Sequence, residues 1–311
     1  MRELTVGIGS IRLDDGTLLH DVQQRVTIYG SPSPANDNVV LVTHALTGSS
    51  RAAEWWPGIV GHGALFDPSE WCIVGINVLG GCYGSTGAPR VSVGDMVRAQ
   101  ALALSELEIE RLAYVIGGSL GGMQALSWAL DFPHRVENAI VVGAHDHHSA
   151  MGIALNALQR ECLELDPVRG LRTARKLAML TYKSEELFNE RHDRRPDRND
   201  PSRFDIEGYL DLQADRFIGR MDASTYATLT HAMDSFDVRG RHLRGSLVTF
   251  VGITSDRLFR PQDVRAAARA FGASYIEFDT HHGHDAFLAE SSRLASLLTA
   301  TTEPRTYSRA P

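Results

Sequence analysis

Three cysteines in 311 residues are too few for a disulfide framework, and Cys72, Cys82 and Cys162 are too far apart for a CxxC metal motif. The expectation is a reducing, cytoplasmic compartment. No apolar run approaches the roughly 18 to 20 residues that a helix needs to cross a bilayer. The first residues, Met1-Arg2-Glu3-Leu4-Thr5, lack the basic-then-apolar pattern of a secretory leader. Positive charge is short as well: 31 Lys and Arg stand against 38 Asp and Glu, a formal net charge of −7. Such a balance argues against a nucleic-acid partner, whose affinity comes mainly from neutralised phosphates. Internal repeats are missing. What remains is an ordinary globular composition, 43% hydrophobic and 22% charged, which fits one large domain or a domain with a big insertion.

The chain changes character along its length. Residues 10–13 and 22–29 alternate around Asp14-Asp15-Gly16, the pattern of an antiparallel hairpin. Continuous β-branched runs follow at 38–43, 71–77, 112–117 and 139–143, as expected of strands buried on both faces. Helical spacing occupies 93–109 and 120–130 between them. Strands alternating with helices predict βαβ units and a mainly parallel sheet with helices on both faces. From 145 to 240 the strand signal stops. Helical stretches at 153–163, 171–180 and 225–233 flank a polar, proline-containing surface loop at 191–201. The sheet pattern resumes at 247–253 and 274–278, with helices at 262–271 and 286–298. The reading is an α/β core, 1–144 and 241–311, interrupted by a helical insertion at 145–240. The polar tail, 299–311, is expected to fray.

Gly117-Gly118-Ser119-Leu120-Gly121-Gly122 sits between a predicted strand and a predicted helix. That is the context of a Gly-x-Ser-x-Gly elbow, where a tight turn thrusts a serine hydroxyl outward beside a helix N-terminus. Such a serine needs an acid and then a histidine, each beyond a later strand. Asp256 follows the 247–253 run, and His284 follows 274–278. Ser119 is thus the candidate nucleophile, His284 the base and Asp256 its orienting acid. His281 and His282 are rival bases, and Asp279 is a rival acid. An oxyanion hole would use the Leu120 N–H and, from the loop His44-Ala45-Leu46, the Leu46 N–H. His145-Asp146-His147-His148 is a weak metal set on this reading, because neighbouring histidines do not easily face one centre. The glycine-rich stretch 80–87 lacks the Lys-Ser/Thr ending of a P-loop, and its Cys82 is expected to pack rather than react.

Together these motifs resemble the homoserine O-acetyltransferase family of the α/β-hydrolase fold. The residues that carry the resemblance are His44-Ala45-Leu46-Thr47-Gly48-Ser49, Glu54-Trp55-Trp56, the block 77–87, and Gly118-Ser119-Leu120-Gly121-Gly122-Met123-Gln124. Leu180-Thr181-Tyr182, Tyr209-Leu210-Asp211, Met233-Asp234-Ser235-Phe236-Asp237 and Gly283-His284-Asp285-Ala286-Phe287-Leu288 continue it in family order. The resemblance implies acetyl transfer from acetyl-CoA, as a substrate rather than a bound cofactor, to L-homoserine through an acetyl-serine in methionine supply. It also implies that the insertion is a lid and that two lids meet in a homodimer. By position in the motifs, Arg175 and Tyr182 would lie near the substrate and Asp285 would hold its ammonium. Leu120 stands where the family commonly has methionine, and Ala88 where proline is more usual. A succinyl donor, a serine acceptor, or water as acceptor in a hydrolase would all use the same triad.

Overall fold

The computed structural model describes residues 1–299 and Thr302; the rest of the tail expected to fray lies outside the described residues. β1 (Arg2–Arg12) and β2 (Leu18–Tyr29) form the antiparallel hairpin, closed by Leu13 and Gly16 around the expected turn. β3 (Val39–Thr43), α1 (Ala52–Trp55), β4 (Cys72–Ile76), α2 (Val93–Glu106), β5 (Leu112–Gly118), α3 (Leu120–Asp131) and β6 (Val136–Val142) follow. Five helices come next: α4 (Ala150–Leu165), α5 (Pro167–Tyr182), α6 (Glu185–Arg191), α7 (Asp205–Ile218) and α8 (Ala223–Asp234). β7 (Leu247–Ile253), α9 (Pro261–Phe271), β8 (Ser274–Phe278), α10 (Ala286–Ala289) and α11 (Ser291–Leu298) complete the chain.

The strands form one sheet in the order β1-β2-β4-β3-β5-β6-β7-β8. β1 and β2 are antiparallel additions at one edge, and the six strands from β4 to β8 run parallel. Alternate residues of one strand feed two separate apolar layers. Val39 and Leu41 of β3 pack with α2, α3 and α9, whereas Val40 and Val42 pack with Trp56, Phe287 and Leu294 on the other face. This two-sided burial is why the strands read as unbroken apolar runs. Parallel strands leave all their carboxyl ends on one edge, and loops there converge.

Local signals set the helix bounds. Ser92 and Asp95 make a capping box at the start of α2. Asp166 caps α5 by accepting from the Val168 and Arg169 N–H groups, and Pro167 occupies its first turn. Two helices of the insertion, α6 and α7, were not expected from spacing. The stretch expected as one helix at 286–298 is two. It breaks at Glu290, where the Trp56 indole donates to the Phe287 carbonyl (2.7 Å) that an unbroken helix would use internally.

Candidate active site

Ser119 is the single residue between β5 and α3, and its φ of +58° is rare for a residue with a side chain. Its neighbours force the tightness of the turn. A Cβ at Gly117 would come within 2.2 Å of Thr43 Oγ1, and one at Gly121 within 2.1 Å of the Thr43 carbonyl. The Ser119 N–H donates to the Val142 carbonyl (2.9 Å), which ties the elbow to the end of β6.

His284 arrives at the same place from the loop after β8. It lies close enough that a Cβ at Gly143, next to Val142, would be 3.4 Å from its Cε1. Its Nδ1 meets Asp256 Oδ2 at 2.7 Å, with both side chains buried. Asp256 is fixed in turn, because its other oxygen accepts from the Leu258 N–H (2.8 Å) and the Phe259 N–H (2.9 Å). With Nδ1–H given to Asp256, Nε2 is the free acceptor, and it is buried without a hydrogen-bond partner. Burial alone would push this imidazole down. The Asp256 charge and hydrogen bond, helped by Asp285, outweigh burial and hold it above the ordinary histidine value. Of the rival residues, His282 packs edge-on against His281 (5.1 Å). His281 is exposed and faces Glu190 (3.5 Å), and Asp279 accepts from Thr254 (3.1 Å).

The Leu120 N–H opens α3, so no residue of that helix can accept from it. The second expected donor, Leu46 N–H, belongs to the same peptide unit as the Ala45 carbonyl. That carbonyl accepts from Gly48 N–H (2.9 Å) and is 2.8 Å from His44 Nδ1. His44 Nε2 accepts from the Val78 N–H (3.1 Å), so Nδ1 carries the proton and donates. Burial pushes this imidazole down to about 4 and keeps it neutral. Gln124 ties the loop to α3, donating to the His44 carbonyl (3.1 Å) and the Leu120 carbonyl (3.2 Å). Gln100 donates to Gln124 (2.7 Å) and accepts from the Trp128 indole (2.8 Å). His44 and this buried chain are support that the sequence reading missed, although His44 opens and Gln124 closes motifs it singled out.

The insertion brings Arg175 and Tyr182 onto this centre from α5. The Tyr182 ring lies 5.7 Å from the His284 ring, and burial pushes its hydroxyl up to about 12, so it stays protonated. The Arg175 guanidinium is buried over the rings of Tyr182 (5.6 Å) and Phe217 (5.0 Å). Among the described residues it has no ion pair, and its Nε lacks a hydrogen-bond partner. Asp285 stands at the start of α10 but makes no capping bond. Its Oδ2 pairs with Lys183 at 3.0 Å, a partner the sequence did not suggest. In the histidine cluster, His145 and His147 both turn to Asp146 Oδ1 (3.3 and 2.8 Å) across a bend at Asp146.

A buried acid–base dyad and a serine held on a strained, largely buried turn beside a helix N-terminus can form and break an acyl-serine. The α/β-hydrolase fold model matches residues 38–291. A homoserine O-acetyltransferase of Thermus thermophilus is 37% identical over 338 aligned positions, covering 92% of this chain and 87% of that one. The chain belongs to the homoserine O-acetyltransferase family. A second member, from Symbiobacterium thermophilum, is 39% identical, covering 89% of this chain and 88% of its own. The structure of the Staphylococcus aureus homoserine O-acetyltransferase superposes with a TM-score of 0.84 at 26% identity, covering 99% of this chain and 97% of that one. The family fold also extends to esterase E22, TM-score 0.88 at 21% identity over 97% of this chain and all of that one.

Proposed function

We propose that this chain transfers acetyl from acetyl-CoA to the hydroxyl of L-homoserine, through an acetyl-Ser119 intermediate, in methionine supply. Ser119 Oγ attacks the thioester carbonyl and gives its proton to His284 Nε2. The oxyanion rests on the Leu46 and Leu120 N–H groups. The CoA thiolate leaves with the proton from His284. The homoserine hydroxyl then loses its proton to His284 and takes the acetyl group from Ser119, and the proton passes from His284 to the leaving Ser119 Oγ, which restores the free enzyme. Asp256 keeps the imidazole in the accepting tautomer and stabilises its cation. No resident cofactor enters the scheme.

The observation that carries the acceptor is Arg175. A buried cation without a counter-charge is costly unless a ligand supplies one. The carboxylate of an amino acid fits its fork. Asp285 would share the ammonium with Lys183, and Tyr182 would close the wall beside His284. Delivery to water has no use for such a set, yet the fold shared with esterase E22 keeps hydrolysis as a second reading. We further propose that α4–α8 act as a lid over the centre. A homodimer through the lid is supported by Met151, Leu158 and Leu165, which line one exposed face of α4, with Val168 beyond it. We place the reaction in the cytoplasm, in keeping with three free thiols.

The test is steady-state transfer with acetyl-CoA and succinyl-CoA against homoserine, serine and water. Acetyl-CoA with homoserine should be fastest. Double-reciprocal plots at several fixed homoserine concentrations should be parallel, because the acyl-enzyme separates the two half-reactions. Intersecting lines would mean direct attack in a ternary complex.

A further inference from the structure

A cavity of about 560 Å³ opens beside the oxyanion loop, and the chemistry above does not use it. Its wall begins at Thr47, the residue after Leu46, and continues to Trp55. Arg25 of β2 and Tyr83 of the loop after β4 add to it, so it lies at the same carboxyl edge of the sheet as Ser119. Arg220, which follows α7 in the insertion, closes it from above the loop: its Nη1 donates to the Thr47 carbonyl (2.9 Å).

The charges in this wall are unevenly matched. Glu3 binds both Arg25 (2.7 Å) and Arg51, and Arg51 also reaches Glu54 (3.3 Å). Arg220 has no acidic partner among the described residues; it is exposed and rests over the Phe217 ring at 5.6 Å. The Tyr83 hydroxyl is buried, and the polar side chain beside it is that of Arg220. Trp55 is pinned by its indole N–H to the Ser49 carbonyl (2.9 Å) and stacked on Trp56, so it is a rigid aromatic wall. A cation without an acidic partner, a hydroxyl beside it and an aromatic surface in one cavity suit a phosphorylated nucleotide. A thioester carbonyl held at the Leu46 N–H would have this cavity one residue along the loop.

We infer that this cavity receives the 3′-phosphorylated adenosine diphosphate portion of a CoA-type donor, with Arg220 and Tyr83 on phosphate oxygens and Trp55 beside the base. The inference rests on the acetyl-CoA reading above. It is tested by comparing acetyl-CoA with acetyl-pantetheine, which carries the same thioester without the nucleotide, by release of free thiol. In the wild type, acetyl-CoA should have the lower KM. Arg220→Gln should raise the KM for acetyl-CoA roughly tenfold more than that for acetyl-pantetheine, with partial recovery in Arg220→Lys. Tyr83→Phe should act in the same direction and more weakly. Adenosine 3′,5′-bisphosphate should compete with acetyl-CoA in the wild type and lose most of its potency in Arg220→Gln. Equal KM values for the two donors in the wild type would overturn the inference alone. So would an equal rise for both donors in Arg220→Gln, since Arg220 would then only brace Thr47. A wild-type enzyme that is acylated by p-nitrophenyl acetate but ignores acetyl-CoA would overturn the donor reading, and the inference with it.

Discussion

Asp256 and Arg175 reach the His284 region from different parts of the fold, the core and the insertion, and they are finished to different degrees. Asp256 comes from the core, and its carboxylate has three hydrogen bonds, to His284 and two backbone N–H groups. His44, also from the core, has both ring nitrogens engaged. Arg175 comes from the insertion and has no ion pair among the described residues. The core side is complete before any ligand arrives, as preorganised catalytic groups must be. The insertion side leaves its strongest charge unmatched, as a receptor for a charged ligand must. On the acyl-transfer reading proposed above, the difference divides chemistry in the core from recognition by the insertion.

The largest effect should come from the core. Ser119→Ala removes the nucleophile without touching the glycines that shape the turn, so the fold should persist. Transfer should fall by about four to six orders of magnitude. A variant that kept more than about a hundredth of the wild-type rate would sink the role of Ser119. Asp256→Asn should follow, at about four orders of magnitude, because an amide in place of the second oxygen no longer holds Nδ1–H. Both losses should appear in acylation itself, read as the burst of free CoA on rapid mixing.

Arg175→Gln should break the comparison on its other side. Acylation by acetyl-CoA should change little. The KM for homoserine should rise about ten- to a hundredfold, since a charge-assisted contact in a buried pocket contributes roughly 1.5 to 3 kcal/mol. Measured burst amplitude alongside steady-state transfer separates the two halves. If the burst disappears with transfer, Arg175 supports the catalytic centre or the fold, and the division between core and insertion fails.

The same division marks what the sequence could reveal. Strands such as Val39–Thr43 are buried on both faces and stand out as apolar runs. The elbow stands out because no other residues fit beside Thr43. Asp256 and His284 follow from chain order beyond later strands. The insertion is harder to read. α7 carries Gly208 and acidic residues in its first turns and buries only Ala214 and Phe217 fully, so its helical spacing is faint. Lys183 could not be matched to Asp285 from spacing, because the pair forms only when the end of α5 packs against the loop before α10. What His44 does depends on a backbone N–H from Val78, which belongs to a different loop.

The smallest effect sits where the two sides meet. Asp285 lies next to His284 in the chain and pairs with Lys183 of the insertion. His284 must be neutral to accept the Ser119 proton, so kcat/KM for acetyl-CoA should rise with pH through the pKa of this imidazole. Burial works to lower that pKa, while Asp256 first and Asp285 second raise it above the ordinary value. Asp285→Asn keeps the shape, removes the weaker of the two charges and leaves the Lys183 cation without its partner. Both changes disfavour the imidazolium. The acid limb of the profile should therefore move to lower pH, and at pH below the wild-type limb the variant should acylate relatively faster. The KM for homoserine should rise in the same variant, because the proposed ammonium site loses its charge. An acid limb that stays in place, measured on acylation alone, would show that Asp285 does not act on His284. A limb that moves with no change in the homoserine KM would keep Asp285 as a tuner of the base and remove it from the acceptor site.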